Sequence, residues 1–127
     1  MSDSGLTGKT CLVLEDEFLI ALDIEQILEA AGAARVVCFS DAQEALTALR
    51  RGARFDLAVL DILLSNATRT SLDVAAALQL QNTPFVFLTG IRNAESEVRQ
   101  FPMAPVVEKP YRAEELIAAA VRALAAR

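Results

Sequence analysis

Short apolar runs alternate with longer stretches of helical period along this chain. Residues 10–14 (Thr-Cys-Leu-Val-Leu) are an apolar run that reads as a buried strand. Residues 17–31 place Phe18, Leu19, Leu22, Ile24, Ile27 and Leu28 at helical spacing, and Gly32 stops that helix. Residues 34–39 predict a second strand. Ser40, with Gln43 three residues on, has the form of a capping box. The helix it opens carries Ala42, Ala45, Leu46 and Leu49 and stops at Gly52. Residues 55–60 predict a third strand. The stretch from Leu63 to Thr70 is the least typical, and a helix follows through Leu80. Pro84 opens a fourth strand over 85–88. Asn93 can cap a short polar helix, with Glu95 and Glu97 near its positive N-terminal end. Pro105, Val106 and Val107 form a short fifth strand. The last helix runs from about Arg112, with Leu116, Ile117, Ala120, Val121 and Leu124 on one face.

The pattern is five strand–helix units with no linker and no repeat. Strands that are apolar throughout, alternating with amphipathic helices, imply a parallel sheet covered on both faces. Right-handed crossovers leave few topologies. The expected fold is α/β: a flavodoxin-like (βα)5, doubly wound parallel sheet with strand order 2-1-3-4-5. At 127 residues the chain reads as one domain, residues 1–127, with a core over about 9–125 and a polar N-terminal tail, 1–8.

Composition narrows the chemistry. Apolar residues make up 54% and charged residues 23%, which suits a folded chain. The net charge of −5 argues against non-specific nucleic-acid binding, which needs a basic surface. There is no His, so histidine triads and His-based zinc sites are excluded. Cys11 and Cys38 each sit in an apolar run and read as two buried free thiols. No segment reaches the ~18–20 apolar residues that span a membrane, and residues 1–8 lack an apolar signal core. A reducing, cytoplasmic setting is expected. Gly8-Lys9-Thr10 is no phosphate loop, because Asp3 stands where that motif needs Gly and the triplet precedes a strand.

In such a sheet, function sits at the carboxyl ends of the strands. The first strand ends in Glu15-Asp16, the third in Asp61, the fourth in Thr89-Gly90 and the fifth in Glu108-Lys109-Pro110. The second ends at Ser40, without acid, Lys or Thr. The expected strand order brings three carboxylates, a hydroxyl and an ammonium to one rim. Clustered carboxylates repel unless a cation neutralises them, and an oxygen-rich site suits Mg²⁺. One carboxylate could then attack phosphorus to form an acyl phosphate, with Lys109 and Thr89 holding phosphoryl oxygens.

These residues carry a resemblance. Over about residues 9–125 the chain resembles the receiver domain of two-component response regulators. The similarity lies in the acidic pair Glu15-Asp16, in Asp61, in Thr89 and in Lys109-Pro110, each after its own strand. It implies that Asp61 takes a phosphoryl group from the phosphohistidine of a sensor histidine kinase or phosphotransfer protein. It also implies Mg²⁺ ligation by Asp16 and Asp61, by Glu15 through water, and by the backbone carbonyl of Leu63. Thr89 and Lys109 would contact the phosphoryl group. Phosphorylation would bias a two-state surface around the fourth helix, fifth strand and last helix. The chain would be no enzyme beyond its own phosphoryl transfer and autodephosphorylation. Ending at Arg127, it is expected to lack an output domain, to act through an unknown downstream protein or by relay, and to be a monomer or weak homodimer.

The chain departs from that pattern in four places. The loop after Asp61 lacks the usual Pro and Gly. Gly90 follows Thr89. Val106 stands where the fifth strand usually carries an aromatic switch residue. Phe87-Leu88-Thr89-Gly90-Ile91 is similar to the FAT GUY variant of receivers, which implies HWE-type or related kinases, although Arg92 replaces the expected Tyr. The altered loop and Val106 motivate an alternative: a docking module that works without phosphorylation. A phosphatase is disfavoured because Leu63 stands where such enzymes carry a second acid. Glu17, Glu108 and Tyr111 read as a dipole-favoured surface acid, an exposed acid and a packing residue.

Overall fold

The structure is a computed structural model and describes residues 5–62, 70–90 and 98–126. Five parallel strands form one sheet in the order β2-β1-β3-β4-β5: β1 Thr10–Leu14, β2 Arg35–Phe39, β3 Leu57–Asp61, β4 Phe85–Thr89 and β5 Val106–Glu108. The described helices are α1 Phe18–Ala30, α2 Ala42–Arg50, α3 Ser71–Leu80 and α4 Ala113–Ala125. This is the expected flavodoxin-like order. The helix expected from Asn93 lies outside the described residues.

Continuous apolar strands are explained by two cores, one on each face of the sheet. Along β1, Cys11 and Val13 join the cluster beneath α1 and α4, while Leu12 and Leu14 join the cluster beneath α2 and α3. β3 splits Leu57 and Val59 from Ala58 and Leu60 in the same way, and β4 splits Val86 and Leu88 from Phe85 and Phe87. Successive side chains point to opposite faces, so a strand covered twice has no polar position to show.

Several boundaries differ from expectation. α2 is capped by Asp41 rather than Ser40: the Asp41 carboxylate accepts the Glu44 N–H at 2.8 Å. An ionised acceptor bonds that amide more strongly than a hydroxyl does. β3 starts at Leu57 because Asp56 turns back to β1, its carboxylate accepting the Thr10 N–H at 2.8 Å. β4 and β5 each run one residue further than expected, to Thr89 and Glu108. Thr70 caps α3 in a box with Asp73.

Four burial expectations are corrected. Phe18 and Leu19 are 75% and 76% exposed, and the buried stripe of α1 is Ala21, Ile24 and Leu28. The first turn of α1 starts at the rim where β1 has ended, so no strand lies beneath it. Val121 is also exposed, and Ala119 and Ala123 complete the buried face of α4 instead. Cys38 is exposed because β2 is the sheet edge, whereas Cys11 is buried; both thiols are free. Leu6 is fully buried in the α1–α4 core, so packing begins inside the expected tail. Gly32 is needed where the tail crosses the end of α1: its φ is +110°, and a Cβ there would meet the Thr7 Cα at 3.2 Å. Among the described residues no helix is long and apolar enough to cross a membrane.

Candidate functional site

The strand order sets the site. β1 and β4 both flank β3, and β5 lies beyond β4. Asp61 is the last residue of β3 and pairs with Leu88, while Thr89, the last of β4, pairs with Glu108. Backbone bonds extend the ladder past the strand ends. Glu15 donates its N–H to Phe39 at 3.0 Å, Ile62 to Leu88 at 2.9 Å and Lys109 to Thr89 at 2.8 Å. Glu15, Asp61, Thr89 and Lys109 therefore leave from a backbone held by the sheet.

Glu15, Asp61 and Thr89 are buried and Asp16 is exposed. Among the described residues, Glu15, Asp16 and Asp61 each offer a carboxylate oxygen, and these oxygens lie within 4.8 Å of one another. Lys109 reaches over them, its Nζ 3.1 Å from Asp61 Oδ2 and 3.4 Å from Glu15 Oε1. Glu15 Oε2 also accepts the Glu17 N–H at 3.1 Å.

Burial pushes the Glu15 carboxyl up to about 7; the Asp61 charge adds to this, while the Glu17 amide and Lys109 oppose it. Burial pulls the Lys109 ammonium down, but its bond to Asp61 and the charges of Asp61 and Glu15 outweigh that, and the net shift is upward. Among the described residues, the Lys109 ammonium thus pairs with two of the three clustered carboxylates, Asp61 and Glu15. Hard oxygen donors with unbalanced negative charge are the donor set that a divalent cation such as Mg²⁺ takes.

Glu15, Asp16, Asp61 and Lys109 meet here, and Thr89 is buried at the end of β4, beside β3, with its backbone carbonyl accepting the Lys109 N–H. Leu63 and Ile91 lie outside the described residues. Glu108 is exposed, as expected. Tyr111 packs against the α1–α4 core; burial, with the charges of Asp23, Glu15 and Asp61, pushes its phenol up to about 12. A Cβ on Gly90 would meet Lys109 Cδ at 3.7 Å, an ordinary contact, so Lys109 does not itself demand glycine there. The Lys109–Pro110 peptide is cis. Val106 pairs with Phe87 at the sheet edge and is 38% exposed.

Ser71 was not anticipated. It is fully buried and its hydroxyl donates to the backbone carbonyl of Asp61. A serine opening a helix is common, and only the fold shows that this one turns toward β3.

A family model described as "Response regulator receiver domain" matches residues 11–121. The chain belongs to this family. It is the receiver domain of a two-component response regulator. No curated protein matches it. Among solved structures, a response regulator receiver protein from Sinorhizobium medicae WSM419 is 29% identical, with a TM-score of 0.83 over 93% of this chain and 95% of that one. NtrX from Brucella abortus is 30% identical with a TM-score of 0.79; the match covers 94% of this receiver but 27% of NtrX. The N-terminal domain of a response regulator/sensory box/GGDEF three-domain protein from Carboxydothermus hydrogenoformans is 27% identical, with a TM-score of 0.81 over 92% of this chain and 94% of that one. Receiver domains bind Mg²⁺ in an acidic pocket, and this chain brings Glu15, Asp16 and Asp61 together in an acidic cluster. They generally work with histidine kinases or phosphotransfer proteins and are not conventional enzymes.

Proposed function

We propose that this receiver accepts a phosphoryl group on Asp61 from a phosphohistidine, in a Mg²⁺-dependent reaction. The observation that carries the reading is the position of Asp61. It is a buried carboxylate at the end of β3, 3.1 Å from the Lys109 ammonium and inside a three-carboxylate cluster. A carboxylate there is costly unless it is used.

In the transfer, an Asp61 carboxylate oxygen forms a bond to phosphorus as the phosphorus–nitrogen bond breaks. The electron pair stays on the imidazole nitrogen, which takes up a proton. Lys109 and Thr89 bind the phosphoryl oxygens by charge and by hydrogen bond. Glu15, Asp16 and Asp61, with the Leu63 carbonyl, are the residues that would hold Mg²⁺. When bound, the ion neutralises the negative charge that gathers at the phosphoryl group.

The donor in this reading is a sensor histidine kinase or phosphotransfer protein, and the Phe87–Ile91 segment favours an HWE-type kinase. The output in this reading is partner binding or phosphate relay. The free thiols support a reducing, cytoplasmic setting. In the test, acetyl phosphate with Mg²⁺ should label wild type one to one and leave Asp61→Asn unlabelled. An unlabelled wild type, or equal labelling of the variant, would sink the reading.

A second reading has its own observation. Val106 has no ring to move and is partly exposed on β5, so the usual aromatic relay has no carrier. A docking module independent of phosphorylation would bind its partner equally with and without beryllofluoride and Mg²⁺.

A further inference from the structure

The peptide that joins Asp61 to Ile62 is held on both sides. Its N–H donates to the Leu88 carbonyl of β4 at 2.9 Å. Its carbonyl, that of Asp61, accepts the Ser71 hydroxyl. The Ile62 carbonyl lies 3.3 Å from the same hydroxyl oxygen, so one proton faces acceptors in two successive peptides. Ser71 is 0% exposed, so bulk water does not reach its hydroxyl.

The group that holds the peptide is itself held. Ser71 is the first residue of α3, next to a cap in which the Thr70 N–H donates to Asp73 Oδ2 at 2.9 Å and the Leu72 N–H to Thr70 Oγ1 at 3.2 Å. That cap is complete with Thr70 and Asp73. Helix initiation therefore does not need a hydroxyl at 71, and the hydroxyl is spent on β3, ten residues back in the chain.

We propose that Ser71 is a positioning residue for phosphoryl transfer: it fixes the peptide plane after Asp61 and so the direction in which the carboxylate meets phosphorus. This rests on the reading of Asp61 as the acceptor. The two ends of Asp61 are held differently. Lys109 holds the carboxylate, yet the incoming phosphoryl oxygens compete for the same ammonium. Ser71 and Leu88 hold the backbone, and nothing in the transfer competes for them. A reacting atom displaced by about 1 Å can lose roughly a hundredfold in rate.

The test is Mg²⁺-dependent labelling of the full chain by acetyl phosphate, measured as rate against donor concentration. Ser71→Ala removes the hydroxyl, and Ser71→Cys keeps the volume but offers only a weak donor. Ser71→Thr restores the hydroxyl. Val74→Ala is the control: Val74 is buried in the same helix, and its truncation weakens packing without touching the Asp61 carbonyl.

Ser71→Ala and Ser71→Cys are expected to lower the maximal labelling rate by roughly tenfold to a hundredfold, with the half-saturating donor concentration unchanged. Ser71→Thr should recover most of the rate. Val74→Ala should label at the wild-type rate even with a lower Tm. Wild-type rates in Ser71→Ala and Ser71→Cys would overturn the proposal, and so would equal slowing in Val74→Ala. If wild type itself takes no label, the reading of Asp61 falls and this inference with it. Normal labelling of wild type beside unaffected Ser71 variants removes the inference alone.

Discussion

Replacing Asp61 with Asn removes one charge from a crowded site and leaves its shape intact. Glu15, Asp16 and Asp61 hold oxygens within 4.8 Å of one another, and the Lys109 ammonium lies 3.1 Å from Asp61. At an effective dielectric of about 20, each carboxylate pair at that separation repels by roughly 3 kcal/mol, and Lys109 attracts Asp61 by roughly 5 kcal/mol. Asp16 is exposed and its contribution is screened, so attraction and repulsion nearly cancel. What remains is the desolvation of a carboxylate that is only 3% exposed, a cost of several kcal/mol for a buried ion.

Metal-free Asp61→Asn should therefore be more stable than wild type by about 2 kcal/mol at around pH 8, where Glu15 is ionised. Saturating Mg²⁺, at about 100 times its dissociation constant, should add about 2.7 kcal/mol to wild type and much less to the variant, reversing their order. Urea unfolding in chelator and in Mg²⁺ measures both. A variant less stable than wild type in chelator, or equal Mg²⁺ gains in the two proteins, would refute the charge argument.

Three further outcomes follow from the same site and core. The Glu15 carboxyl is raised from 4.5 to about 7, so its protonated form stabilises the fold fully below about pH 4.5, and this is lost as pH rises through about 7. Metal-free wild type should lose about 3 kcal/mol relative to Glu15→Gln across that interval, and parallel pH–stability curves would contradict it. Lys109→Met leaves Asp61 and Glu15 without their cation. Labelling by acetyl phosphate should fall at least about tenfold, and metal-free stability by about 1–3 kcal/mol, below the figure for a fully buried pair because Lys109 is a quarter exposed. Unchanged labelling would argue against its contact with the phosphoryl group. Leu88→Ala, in the α1–α4 core, should cost about 2–5 kcal/mol in urea unfolding; a loss under about 1 kcal/mol would mean that this face is loosely packed.

Local signals made much of this chain readable before its structure. The runs of β1, β3 and β4 are apolar throughout because a doubly covered strand shows no polar face, as the split of Cys11 and Val13 from Leu12 and Leu14 demonstrates. Errors appeared where burial depends on what lies opposite. Phe18 and Leu19 have the right helical spacing, but their turn stands at a rim with no strand beneath it. Cys38 sits in an apolar run, but that run is an edge. Leu6 lies in a polar segment, yet a core receives it.

The site divides in the same way. The sequence by itself determined which residues terminate the strands: Glu15-Asp16, Asp61, Thr89 and Lys109. A strand end is a local feature, read from where an apolar run stops. Only the tertiary structure decided what those residues do to one another. Lys109 reaches Glu15 across 94 positions of chain because the parallel sheet brings the ends of β1 and β5 to one rim, where the long Lys109 side chain extends past β4 and β3. The upward shift of Glu15 arises from burial and from Asp61, neither of which is written near residue 15. Ser71 is the sharpest case. Nothing around it in sequence distinguishes it from any serine that opens a helix, and its hydrogen bond to the Asp61 carbonyl exists only because α3 packs against the end of β3. Hydrophobic periodicity specifies elements, but burial and through-space charge are set by the neighbours that the fold supplies.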